Sequence, residues 1–166
     1  MATSSENAAF LSHVRLFAHV DLADREALAA RLVERKLRKG QVLFREGEPG
    51  AEMFVVREGT MLISKRVTGS VEQVLARSPV ADFFGEMSLF DREPRSATLQ
   101  AETDVVLLVL DRMNLERLTE ANPRAAAVFF HALVEVFIER LRASGNLVAE
   151  VTRWGLEATG LDVESR

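Results

Sequence analysis

The sequence predicts a mainly β domain with flanking helices: a β-sandwich or jelly-roll-like barrel followed by a long C-terminal helix. Three observations carry that prediction. Short runs rich in β-branched and aromatic residues recur at close spacing between Arg35 and Leu110, and glycines punctuate them. Outside that region the apolar residues recur at helical spacing. From Pro123 to Arg142 apolar residues cover most of a helical wheel, whereas a surface helix needs an apolar face only about 100° wide.

In chain order, residues 1–5 read as a polar tail. Glu6 to Val20 places Phe10, Leu11, Val14, Leu16 and Phe17 near helical spacing, with Ser5 as a cap. Asp21 or Asp24 caps a second helix over Arg25 to Glu34, with Leu22, Leu28 and Leu32 on one face. Arg35 to Lys39 and Val42 to Arg45 read as two strands around Gly40. Gly47-Glu48-Pro49-Gly50 is a turn. Met53 to Arg57 and Met61 to Val67 are strands separated by Gly59. Thr68-Gly69-Ser70 is a hairpin signal, and Val71 to Arg77 alternates apolar and polar residues. Ala97 to Ala101 and Val105 to Leu110 complete the strands. Asp111 caps a helix over Arg112 to Glu120, and Asn122-Pro123 caps the long one. Ser144-Gly145-Asn146 is expected to interrupt it. Leu147, Val151, Trp154, Ala158 and Leu161 then follow as a short heptad seam, weakened by Gly155 and Gly160.

Composition excludes several functions. The absence of cysteine removes disulfides, thiolate catalysis, iron–sulfur clusters and cysteine zinc sites, and fits a cytoplasmic location. The net charge of −4 argues against whole-chain attraction to a polyanion, so DNA is not an expected partner. No apolar run approaches the ~18 residues that span a membrane, and MATSSENAAF has no secretory pattern. His13, His19 and His131 lack metal-ligand spacing, so no metal site is expected. Asp82, Glu86, Asp91 and Glu93 have no nucleophile-plus-base pattern beside them, so no catalytic residues are assigned. The basic run Arg35 to Lys39 reads as a solvated strand face, with an anionic surface as its other use.

The stretch FFGEMSLFDREPRSAT, Phe83 to Thr98, is the place for chemistry. A turn of helix over Met87 to Phe90 offers backbone N–H groups and a positive dipole end to an anion. Arg95 delivered opposite would clamp that anion with two parallel hydrogen bonds. The Glu86 carboxylate cannot meet the anion, but it can accept from a neighbouring hydroxyl pair. An anion beside a hydroxyl describes a sugar phosphate. A guanidinium buried at a barrel mouth without a partner costs several kcal/mol. Arg95 therefore either pairs with an acid of the chain, Glu86 or Glu93, or waits in a wet pocket for a ligand. Phe83, Phe84, Leu89 and Phe90 read as core.

These residues resemble the cyclic-nucleotide-binding domain family, shared by catabolite-activator-type regulators, cyclic-nucleotide-dependent kinases and gated channels. FGEMSL, the loop FDRE and PRSAT are similar to the family's phosphate-binding cassette. REGEPG at 45–50 and EG at 58–59 resemble its inter-strand turns, and the likeness covers about residues 10 to 145. The resemblance implies a double-stranded β-helix (jelly-roll) barrel. It implies a cyclic-nucleotide-binding barrel over 21–122 with its cassette at 83–98, an N-terminal helical segment over 1–20, a C-terminal helix over 123–145 and a helical tail over 146–166. It implies that Arg95 meets the oxygens of a 3′,5′-cyclic phosphate and that Glu86 accepts from the ribose 2′-OH beside Gly85. Ser96 would touch the phosphate or base edge, and Ala97 would give a backbone N–H. Phe84, Met87 and Ser88 complete the lining, and Ile63 and Leu75 form the apolar wall for the base. Polar residues near Ser144 to Asn146 would close over the base. Trp154, by its residue type, reads as seam or lid packing, with stacking on the base as the alternative. The chain departs from the family at Ala81, where glycine is usual.

The resemblance also implies what surrounds the site. Regulators of this family carry a winged helix-turn-helix of about 60–70 residues, for which the chain past Asn146 has no room. The expectation is a stand-alone sensor, not an enzyme and without a cofactor, whose ligand is cAMP in preference to cGMP. The modest preference reflects Ser96, whose hydroxyl would also reach a guanine amino group. The sensor would form a homodimer through helix 123–142 and signal through that helix to a protein effector. The alternative is a dimerisation or interaction module with a nucleotide-independent pocket. A nucleotide-processing enzyme is the third reading.

Overall fold

The computed structural model describes residues 3–68 and 71–158. The turn expected at Gly69-Ser70, and Gly160 and Leu161 of the seam, lie outside the described residues. The chain divides into two compact units, residues 1–129 and 130–166.

The first unit opens with α1 (Ser4–Leu11). Thr3 rather than Ser5 caps it, in a reciprocal box: Glu6 N–H donates to Thr3 Oγ1 (3.2 Å) and Thr3 N–H donates to Glu6 Oε2 (2.7 Å). The helix stops well short of Val20. The Ser12 hydroxyl bonds the Ala9 carbonyl (2.7 Å), and Leu16 and Phe17 fall in a separate 3-10 turn. Both remain buried, and Phe17 stacks on Phe129 at 5.4 Å. The second helix, α2 (Leu22–Ala29), starts directly after Asp21, earlier than expected. Asp24 serves elsewhere, accepting from Asn122 Nδ2 at 2.6 Å.

Among the described residues eight strands follow: β1 (Val33–Leu37), β2 (Val42–Phe44), β3 (Glu52–Glu58), β4 (Met61–Thr68), β5 (Val71–Ser78), β6 (Phe83–Phe84), β7 (Thr98–Ala101) and β8 (Val105–Asp111). They form two antiparallel sheets, ordered β1-β8-β3-β6 and β2-β7-β4-β5. This is the mainly β jelly roll that the strand spacing predicts. Its core takes Phe54, Phe84 and Leu107 from one sheet and Phe44, Met61 and Leu99 from the other. Phe44, Phe54 and Phe84 pack ring against ring, with centroids 5.5 to 6.4 Å apart.

One strand-region expectation changes in detail. The basic run is not uniformly a solvated face: Arg35 is half-buried and holds Glu52 with both ends of its guanidinium (3.2 and 3.0 Å). Ala81 has φ +68°, the left-handed conformation that a glycine adopts freely. Its N–H donates to Val56 O (2.8 Å), and Val56 N–H donates to Asp82 O (2.9 Å), so the turn into β6 is pinned whatever the side chain costs.

Asp111 caps α3 (Arg112–Ala121), accepting from Asn114 N at 2.7 Å. Asn122 caps the next helix through its Oδ1, which accepts from Ala125 N at 3.0 Å. That helix, α4 (Pro123–Ala158), runs without a break through Ser144-Gly145-Asn146. The expected interruption does not occur. A helical glycine costs only about 1 kcal/mol and removes no hydrogen bond, so the residues on either side carry the helix across. In the second unit, Val134, Ile138, Leu141, Leu147, Val148, Val151 and Trp154 are exposed. Among the described residues, no helix is long and apolar enough to cross a membrane.

Candidate functional site

The segment between β6 and β7 leaves one sheet and enters the other. Phe83 and Phe84 pair with Val55 and Phe54 in the first sheet, and Thr98 and Leu99 pair with Ser64 and Ile63 in the second. Whatever residues 85–97 hold is therefore suspended across the mouth of the roll. Gly85 turns the chain with φ +76°, and the 3-10 helix Glu86–Leu89 follows at once. This is one residue earlier than the expected turn over Met87 to Phe90. Glu86 and Ser88 are buried, while Met87 is half-exposed.

The Arg95 backbone is fixed by the loop ahead of β3. Gly47 N–H donates to Arg95 O (2.9 Å), and Arg95 N–H donates to Glu48 O (2.8 Å). Glu46 N–H donates to the Thr98 hydroxyl at 3.0 Å. These bonds extend β2 alongside the cassette and turn the Arg95 side chain inward, where it is only 6% exposed. Its guanidinium carbon lies 4.1 Å from the centre of the Phe44 ring and 5.5 Å from that of Phe54. Nη1 donates to Glu52 O (2.8 Å) and to Ser88 Oγ (3.1 Å), and the buried Nε has no partner among the described residues.

Two glycines make room for this group. A Cβ on Gly50 would collide with Nε and Cζ of Arg95, and one on Gly85 would stand 2.7 Å from Nη1 and 3.0 Å from Glu52 O. Electrostatics leave the cation undercompensated. Burial pushes its pKa down; the Glu52 carboxylate opposes this, Arg35 adds like-charge repulsion, and Glu48 opposes again. The Glu52 carboxylate is already engaged by Arg35, so Arg95 receives only the Glu52 carbonyl. Neither Glu86 nor Glu93 is its hydrogen-bond partner. A guanidinium does not deprotonate in this range. The group is a buried cation held by a carbonyl, a hydroxyl and two aromatic faces.

The structure thus brings Gly85, Ser88 and Arg95 into one cluster, with Phe84 packed beneath in the core and Glu86 buried on the same 3-10 helix. Ser96 is exposed and Ala97 half-buried on the way into β7. Ile63 packs on the core, and Leu75, 56% exposed, lies at the β4–β5 bulge where Ile63 pairs with Ala76 and Ser64 with Val74. A cavity of about 680 Å³ borders Arg95 on the side of Gly50, Glu52 and α3, and Arg95 alone among the predicted site residues lines it.

Three contributors do not stand out in the sequence. Gly50 reads only as a turn, and Phe44 only as an apolar strand residue. Arg112 reads as an ordinary helix residue, yet its guanidinium holds the end of the cassette helix: Nε donates to Leu89 O (3.0 Å), and Nη2 to Ser88 O (2.8 Å) and Asp91 O (2.6 Å). A cation at the first position of a helix, against the dipole, is the one available signal for Arg112.

Residues 34–122 match the cyclic nucleotide-binding domain family. The chain is 28% identical over 141 residues to the CRP-like cAMP-activated global transcriptional regulator of Mycobacterium tuberculosis, covering 85% of this chain and 61% of that protein. It is 33% identical over 113 residues to a cGMP-dependent protein kinase of Eimeria tenella, covering 68% of this chain and 11% of the kinase. The chain thus spans less than two thirds of either relative. Among solved structures, the N-terminal domain of a transcriptional regulator from Streptomyces coelicolor A3(2) superposes with a TM-score of 0.72 at 33% identity, over 84% of this chain and 94% of that one.

Proposed function

The chain belongs to the cyclic nucleotide-binding domain family, and from that premise we propose that it is a cyclic-nucleotide sensor that takes cAMP in preference to cGMP and signals through its C-terminal helix to a partner protein. The observation that carries the reading is Arg95, a buried guanidinium that no carboxylate of the described residues accepts from. An anion arriving there would meet a positive charge already desolvated and already held in place, so little is left to pay for on binding. Gly85 and Glu86 open the cassette helix beside it, where Glu86 would accept from the ribose hydroxyl. Ile63 and Leu75 would face the base, and Met87, Ser88, Ser96, Ala97 and Phe84 would complete the lining.

The preference for cAMP rests on likeness to bacterial regulators, among them the mycobacterial relative named as cAMP-activated. The Eimeria relative is named for cGMP, which makes the second nucleotide the necessary control. The sensor works without chemistry on its ligand, in the cytoplasm, and its domain limits are those drawn from the sequence. The test is a calorimetric titration with both nucleotides. Saturable binding with cAMP tighter than cGMP is expected, and no heat of binding from either overturns the reading.

A second reading has its own observation. Leu141 is 75% exposed and Leu147 60%, on a helix that also exposes Val148, Val151 and Trp154. Such a face suits self-association, and a homodimer through the long helix belongs to the proposal in either case. If mass measurements give the same dimer, and partner affinity is the same, with and without nucleotide, the interaction-module reading is favoured.

A further inference from the structure

Two guanidiniums share the Phe54 ring. The guanidinium carbon of Arg35 lies 5.3 Å from its centre and that of Arg95 5.5 Å, and both side chains line the same cavity. Glu52 touches both cations, with different atoms. Its carbonyl accepts from Arg95 Nη1 at 2.8 Å, while its carboxylate accepts from Arg35 Nη1 at 3.2 Å and Nη2 at 3.0 Å. β8 lies between the strand of Arg35 and that of Glu52. The pair is therefore not a cross-strand neighbour pair, and Arg35 has to reach over a strand to make it.

Stability accounts for little of this pair. The two side chains are 40% and 34% exposed, and an ion pair in such surroundings adds at most about 1 kcal/mol. The other cation within the cavity has the greater need of a carboxylate. Arg95 is buried, and its Nε has no partner among the described residues. That Nε lies against Gly50, which lines the cavity together with Glu52. Burial is what most disfavours the Arg95 cation, and among the surrounding charges the Glu52 carboxylate is the one that most favours it. Attraction between opposite charges strengthens where water is excluded, and a buried cation without a counter-ion is the costly state that a carboxylate relieves.

We propose that Arg35 is a positioning residue that keeps the anion site open, because its two-pronged grip holds the Glu52 carboxylate off Arg95. This rests on the reading of Arg95 as the site of a cyclic phosphate. Arg95 keeps its place between Gly50 and Gly85 throughout. What is decided is which anion completes it, the carboxylate of its own chain or the phosphate of a ligand. With Arg35 in place the carboxylate is bound at both oxygens, and the phosphate meets no competitor. Without Arg35 the carboxylate becomes a tethered competitor at high effective concentration, and the ligand has to displace it.

The experiment is a double-mutant cycle on the full chain, read by calorimetric titration with cAMP and by thermal melts without ligand. Arg35→Met keeps the aliphatic stem and releases the carboxylate. It is expected to bind about 10-fold more weakly, as the open site falls to about a tenth of the molecules. Glu52→Gln alone is expected to bind at least as tightly as the wild type. The double variant Arg35→Met/Glu52→Gln lacks the same ion pair but has no carboxylate to misplace, and it is expected to recover most of the lost affinity. Without ligand, Arg35→Met should melt above the double variant, because the released carboxylate relieves the buried cation. Additive effects of the two substitutions on affinity overturn the proposal, since each charge then acts on the ligand independently. A double variant that recovers nothing also overturns it, since the Arg35–Glu52 pair is then a structural contact. If Arg35→Met does not fold, Arg35→Gln takes its place in the cycle, and failure of both to fold overturns the proposal in the same way. Absence of cAMP binding in the wild type removes the reading of function and this proposal with it. Wild-type binding with an additive cycle removes the role of Arg35 alone.

Discussion

The cassette and the far half of α4 break the same rule in opposite senses. At the mouth of the roll a guanidinium sits 6% exposed among aromatic rings. Along α4, Leu141 and Leu147 stand 75% and 60% exposed to solvent. A buried charge costs free energy unless it is paired, and an exposed apolar stripe costs it unless it is covered. The violations differ in kind. The first is enforced by covalent detail, two glycines and a backbone ladder that leave Arg95 nowhere else to go. The second needs only a repeat of apolar residues at spacings of 3 and 4. A point-charge ligand demands the former, and a broad, forgiving protein surface is satisfied by the latter.

The comparison breaks most decisively at Arg95. Arg95→Met keeps the aliphatic volume and removes the charge. We expect cyclic-nucleotide affinity to fall by about 3 kcal/mol or more, on the order of 100-fold, through loss of a charge-assisted pair. The ligand-free protein should melt no lower than the wild type, since a cation without a carboxylate partner is relieved of its desolvation. Calorimetry and thermal melts read the two halves. If Arg95 served an intramolecular ion pair, the melting temperature would fall and the affinity would not.

The exposed stripe is tested by Leu147→Glu. A charge facing its counterpart across a self-complementary seam should weaken the dimer by about 2 kcal/mol, read as a rise in the dissociation constant by sedimentation. Thermal stability at low concentration should be unchanged, because Leu147 is exposed. A variant that loses stability without changing mass places Leu147 in a fold contact instead.

Much of this is legible in the sequence, and the misses have a common cause. Strand positions, the Asp111 and Asn122 caps and the cassette follow from local residue chemistry, and the two-sheet roll follows from them. Gly50, Phe44 and Arg112 do not, because each acts on a residue at least 20 positions away in sequence, through packing that no periodicity records. The early end of α1 escapes for a different reason. The apolar spacing of Val14, Leu16 and Phe17 survives in a 3-10 turn, so the pattern marks burial correctly and helix type incorrectly. Ile63 and Leu75 come from resemblance, and calorimetry on Leu75→Ser is the measure of their role, with about 1 kcal/mol of affinity lost if Leu75 meets the base.

Ala81 sets a smaller effect on the cassette side. With φ at +68° it carries a cost that glycine does not, roughly 1 kcal/mol. Ala81→Gly should therefore stabilise the protein despite adding freedom to the unfolded chain, visible as a higher denaturant midpoint at unchanged slope. Nucleotide affinity should stay the same, because the turn into β6 is pinned by backbone bonds on both sides.

The smallest effect lies at Gly145, where the sequence and the structure disagree most. Ser144-Gly145-Asn146 has the composition of a helix end, yet α4 passes through it, and a Cβ at Gly145 would meet nothing within 4 Å. Gly145→Ala should then gain about 0.5–1 kcal/mol of local helix stability, because it restricts the unfolded chain and creates no contact. Hydrogen exchange at residues 141–150 reads this directly as slower exchange. If α4 were broken at Gly145 in solution, alanine would leave exchange rates there unchanged, and the exposed residues Leu147 to Trp154 would belong to a separate segment with its own partner. Slower exchange on both sides of position 145 instead makes the stripe from Val134 to Trp154 one continuous surface, which is what a helix that carries a signal along its length requires.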